Sequence, residues 1–121
     1  MALSKVVLST RFGDKFAKES DAGSTATVIE SSAATVYSVQ ANNTAVSSDV
    51  FVKLYNNASP TIGTSSPDMI LKIPASTVKT YHFTSGVVFA TALSVACLTA
   101  AGTGGVVDPG TVVVKIVYTL Q

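Results

Sequence analysis

The feature that most constrains this chain is a two-residue period. In residues 50–55, Val50, Val52 and Leu54 fall on one side of an extended backbone and Phe51, Lys53 and Tyr55 on the other. Residues 69–73 repeat the pattern, with Met69, Leu71 and Ile73 opposite Ile70 and Lys72. In residues 78–83, Val78, Thr80 and His82 oppose Lys79, Tyr81 and Phe83. Over residues 111–120, Val112, Val114, Ile116, Tyr118 and Leu120 oppose Val113, Lys115, Val117 and Thr119. Successive side chains of a strand point to opposite faces, so these runs read as half-buried strands of antiparallel sheets. Residues 3–10, 25–30, 34–41 and 92–98 are further strand candidates.

Turn residues separate the runs: Asn42-Asn43, Asn56-Asn57 with Pro60, Ser65-Ser66-Pro67, Pro74, Ser85-Gly86, Gly102 with Gly104-Gly105, and Asp108-Pro109-Gly110. Asn and Gly supply positive φ and Pro a fixed φ, as tight turns require. The one helix signal is residues 14–20, DKFAKES, where Asp14 and Lys18 are spaced i, i+4 and Phe12 and Phe16 repeat that spacing. No helix is long enough for the crossover a parallel sheet needs. The expectation is an all-β fold, an antiparallel β-sandwich of about eight strands in immunoglobulin-like or jelly-roll order. Residues 11–21 hold six of the fifteen Asp, Glu, Lys and Arg residues. Residues 1–22 therefore read as an N-terminal arm, and residues 23–121 as the sandwich domain.

Charged residues make up only 12% of the chain, about half the usual ~25%. Ser, Thr, Asn and Gln must supply the polar surface, and they enter contacts at lower desolvation cost than charges. A net charge of +1 leaves no footprint for nucleic acid and no polybasic patch for a membrane. Cys97 stands alone in ALSVACL and reads as a small buried hydrophobe. The opening MALSKVVLST is interrupted by Ser4 and Lys5 and does not read as a secretion signal. Residues 86–101, the most apolar stretch, fall short of the ~20 apolar residues that cross a bilayer. The expected site of synthesis and residence before assembly is a cytoplasm.

Chemistry needs converging titratable groups. His82 is the only histidine, and its strand companions Val78 and Thr80 offer it neither carboxylate nor nucleophile. Asp49, Asp68 and Asp108 sit beside turn residues, where aspartate satisfies backbone donors, and no spaced calcium loop occurs. The glycines of GTGG (102–105) precede no helix and read as a loop between strands, not a phosphate cradle. Asn42-Asn43-Thr44 and Asn57-Ala58-Ser59 match the glycosylation pattern, which carries no weight without a secretion signal. The sequence is expected to encode no enzyme, cofactor site or metal site.

Residues 34–120 resemble small β-sandwich virion proteins of tailed bacteriophages. The likeness runs through TVYSVQANNTAVSSDVFVKLYNN, SPTIGTSSPDMILKIPAS, YHFTSGVVFATALSVACLTA and the closing TVVVKIVYTL. It implies a structural protein of the virion, assembled in the host cytoplasm. Within that group the head decoration (cement) type, stabilising the shell as a homotrimer bound to the major capsid protein or other virion proteins, is the leading expectation. A tail, fibre or baseplate module is one alternative. A secreted adhesion or pilus-like subunit is the other, against which the missing secretion signal argues. Arg11, Phe12, Lys15 and Phe16 of the arm are the expected partner contacts. Deleting residues 1–22 is then expected to abolish shell binding and leave the sandwich folded.

Overall fold

The computed structural model describes residues 3–7 and 15–120, the side chains of Val6 and Val7 apart. The described chain is all-β, with nine strands and no helix: β1 (Leu3–Val7), β2 (Lys15–Glu19), β3 (Thr27–Glu30), β4 (Ala34–Asn42), β5 (Val50–Tyr55), β6 (Met69–Ile73), β7 (Val78–Phe89), β8 (Leu93–Leu98) and β9 (Val113–Leu120). They form two antiparallel sheets, one of five strands in the order β1-β2-β9-β4-β7 and one of four in the order β3-β8-β5-β6. The pairings nest: β2 with β9, β3 with β8, β4 with β7 and β5 with β6. A long hairpin rolled upon itself gives this order. It is the jelly-roll arrangement, and the immunoglobulin-like alternative, with its ABED and CFG sheets, is set aside.

The core lies between the sheets. Val36, Val39 and Ile116 of the larger sheet face Val52, Leu54 and Val95 of the smaller, each at most 1% exposed. Burying one such side chain contributes about 1.5–3 kcal/mol. The spacing of Val36 and Val39 would put them on opposite faces of a regular strand. The register of β4 against β9 shifts between Val36 and Ser38, so the extra residue, Tyr37, restores both valines to the inner face.

The structure corrects three expectations. Residues 15–19 form strand β2, not a helix. Ala17 and Glu19 are buried while Lys18 is exposed, and pairing with β1 and β9 supplies both neighbours with ladder bonds. One or two isolated helical turns are marginal and lose to that ladder. Residues 1–22, set apart in sequence by their charge, contribute the outer strand β1 and the internal strand β2 to the five-stranded sheet. The break expected at Ser85-Gly86 lies inside β7, where the register against β4 slips between His82 and Val87. Gly86 has φ +77°, and a Cβ there would overlap Thr35 Cγ2 and press on the Tyr37 ring. Only glycine meets both demands at low cost.

Candidate functional site

The two sheets treat their edges differently. At the β3 edge of the smaller sheet, Lys5 Nζ of β1 reaches across and donates to the backbone oxygen of Ile29 at 3.0 Å. It also pairs with Glu30 Oε2 at 3.5 Å, and Tyr118 donates to the same oxygen at 2.6 Å. At the β6 edge, the Tyr81 hydroxyl of β7 donates to the backbone oxygen of Lys72 at 2.6 Å. Lys79 Nζ lies 5.3 Å from the Tyr81 ring centre, within cation–π range. On each edge of the smaller sheet one backbone carbonyl is thus capped by a side chain from the larger one.

Among the described residues no side chain caps the edges of the larger sheet in this way. Among the described residues β1 pairs only with β2 and β7 only with β4, leaving one side of each ladder unpaired. At twelve residues, β7 is the longest strand of the fold. Val78 and Val88, near its two ends, are 47% and 60% exposed. Unpaired backbone donors and acceptors on an edge are a template for a further strand.

The outer face of the larger sheet follows from the register. One row runs Lys18, Lys115, Gln40 and Thr80 across β2, β9, β4 and β7. The next runs Phe16, Val117, Ser38 and His82. Gln40 Nε2 donates to Thr80 Oγ1 at 3.1 Å. Glu19 is the only acid in the five strands, and it is buried on the inner side, accepting from Thr27 Oγ1 at 3.3 Å. The outer face of these strands therefore carries cations without a carboxylate.

Of the expected contact residues, Arg11 and Phe12 lie outside the described residues. Lys15 and Phe16 are both half-buried on β2. As consecutive residues of a strand they point to opposite faces, so they do not form one patch. Sequence reasoning passed over Lys18 and Lys115, because the signal that joins them is a pairing between distant strands. His82 is exposed and stands opposite Ser38.

The three turn aspartates accept from backbone amides. Asp49 Oδ1 accepts from the Ala75 amide at 2.9 Å, and Asp68 Oδ2 from the Asn56 amide at 2.7 Å. Asp108 accepts from the Ser24 amide at 3.1 Å and the Gly110 amide at 2.9 Å. These bonds, chiefly the one from Gly110, hold its carboxyl below the usual range. Cys97 is fully buried, and desolvation first, then the Asp108 charge, push its thiol up to about 12. Among the described residues no three His, Cys, Asp or Glu side chains converge as a metal site would require.

No family model matches the chain, and no curated protein matches it. Among solved structures, a protein from the Bacillus endospore appendages, described as a novel family of disulfide-linked pili, aligns over 99% of this chain and 88% of its own, with a TM-score of 0.43 and 14% identity. So distant a likeness carries no argument about function.

Proposed function

We propose that the chain is a non-catalytic structural subunit of a particle, of the head-decoration kind on a tailed-phage virion, that works by joining its five-stranded sheet to sister subunits. The observation that carries this reading is the contrast between the sheets. On each edge of the smaller sheet a backbone carbonyl is capped by a side chain of the larger, whereas among the described residues β1 and β7 of the larger sheet each keep one side unpaired. Fold alone would not support it, since jelly rolls serve many purposes. The resemblance of residues 34–120 to tailed-phage virion proteins supplies the kind of particle, and with it the major capsid protein as partner.

Two different open edges of one sheet favour a heterologous contact, the β7 edge of one copy against the β1 edge of the next. Such contacts close into a ring when the rotation allows and otherwise run on as a filament. β1 is five residues long, and each added ladder bond contributes about 0.5–1.5 kcal/mol net. One junction is therefore weak. Affinity on a particle comes from many copies acting together.

Light scattering of the purified chain over a range of concentrations tests the reading. The expected mass is three times the 12.4 kDa subunit, falling to one subunit in V78K/V88K, whose added charges flank the β7 edge. A mass that grows without limit would turn the reading toward a filament subunit. A monomer at every concentration would overturn edge pairing.

A further inference from the structure

We infer that the outer face of the five-stranded sheet, centred on Lys18 and Lys115, is a docking site for an acidic protein surface. The inference rests on the structural-subunit reading above and names the face that the subunit would turn to its shell.

Lys18 and Lys115 are direct cross-strand partners in the register of β2 and β9. Ala17 and Ile116, the next pair, are buried in the core, so both lysines stand on the outer face. Like charges placed directly opposite one another oppose the pairing that brings them together. No hydrogen bond or ion pair to a described residue offsets this for either lysine, although Lys5 and Lys72 each have a carboxylate within 3.5 Å. Acids are kept off this face in all five strands, the one candidate, Glu19, being turned inward. A directly opposed, repulsive lysine pair with no counter-charge among the described residues is a feature that a partner's carboxylates would complete.

The surroundings identify the occupant as protein. Phe16 and Val117 adjoin the lysines as a cross-strand pair and Gln40 follows in the same row. The face thus mixes an apolar strip, amide and hydroxyl groups and a compact positive centre, as protein interfaces do. A nucleic acid would call for a stripe of Lys and Arg following a phosphate backbone, and the net charge is only +1. Phe16, an expected partner contact, keeps that role on this face, while Lys18 takes the place of Lys15.

The test is an NMR titration of the isotopically labelled full chain with a synthetic Glu/Ser repeat peptide. Shifts are expected at the amides of Lys18, Lys115, Gln40 and Val117, fading as salt is raised. Binding is expected to weaken about tenfold or more in K18E/K115E. K18E alone replaces the repulsive pair with an attractive one, so it secures a folded variant, and it too is expected to lose the peptide. Shifts elsewhere, no shifts, or unchanged binding by K18E would overturn the inference. Tighter binding of a duplex DNA at the same amides would overturn the choice of protein as occupant. Light scattering of K18E separates the two readings. Loss of peptide binding with the oligomer intact supports the docking face, whatever the edges do. Loss of the oligomer with peptide binding intact overturns it.

Discussion

Lys53 Nζ donates to the carbonyl oxygen of Gly102 at 2.7 Å, with the lysine wholly buried beneath the loop that joins β8 to β9. Tyr55, Ala96 and Leu98 are buried with it, apart from the main core between the sheets. The GTGG segment is thus part of a cover that closes the outer face of the smaller sheet.

Burial lowers the pKa of Lys53 from the ordinary 10.5, because desolvation disfavours its charge. Below its folded value the folded chain carries that penalty in full. Between the folded value and 10.5 the unfolded chain binds more protons, so this term raises stability as pH rises. Lys53→Met removes the titration and a buried charge of similar volume. Its stability near neutral pH is expected to lie within about 1 kcal/mol of the parent or above it. The parent is expected to gain on the variant as pH climbs toward 10.5, in paired urea unfolding curves.

Asp108 ties the connection between β2 and β3 to the loop before β9. Its carboxylate accepts from Ser24 and Gly110, and Gly23 lies so close that a Cβ there would overlap Asp108 Oδ2. Asp108→Asn is expected to cost on the order of 1 kcal/mol, discounted because the group is exposed. The folded pKa lies below 3.8, so the contribution is present above 3.8 and is lost as pH falls through the folded value. Gly23→Ala is expected to lower thermal stability in the same direction, by about 1 kcal/mol or more, through the displaced carboxylate.

How much of this was legible in the sequence differs from element to element. The runs that became β5, β6 and β9 declare themselves by alternation, and Asp49, Asp68 and Asp108 by their turn neighbours. β2 does not, because Ala17, Lys18 and Glu19 are good helix formers and only pairing with β1 and the distant β9 makes them a strand. β4 hides its phase, since Tyr37 is an extra residue that the alternation rule does not anticipate. Lys53 alternates like a solvent-facing residue, and only the folded loop shows that it is covered. The jelly-roll order and the Lys18–Lys115 pair both depend on which strands meet, which strand counting leaves open.

Cys97 is the only cysteine, and its thiol is pushed up to about 12, so almost none is thiolate near neutral pH. A disulfide reagent is expected to leave the folded protein unmodified and to label one thiol per chain in denaturant. Masses of the assembled protein are expected to be the same with and without reductant. Because the folded thiol titrates above the ordinary 9.0, this group withdraws stability as pH rises past 9.0.

The opposed lysines of β2 and β9 have a stability signature independent of any partner. Lys115→Thr removes the repulsion and places a strand-favouring residue beside Gln40. It is expected to stabilise the isolated chain by about 0.2–1 kcal/mol, read from the thermal midpoint at low salt. The gain is expected to shrink at high salt, where exposed charges are screened.

If the unpaired β7 edge is a junction between subunits, amide hydrogen exchange across a concentration series will register it strand by strand. The amides of residues 78–82 are expected to gain protection as concentration rises, together with those of β1, while the edges of β3 and β6 do not change. Exchange along β7 that is fast and independent of concentration, in a sample shown to be oligomeric, would contradict it.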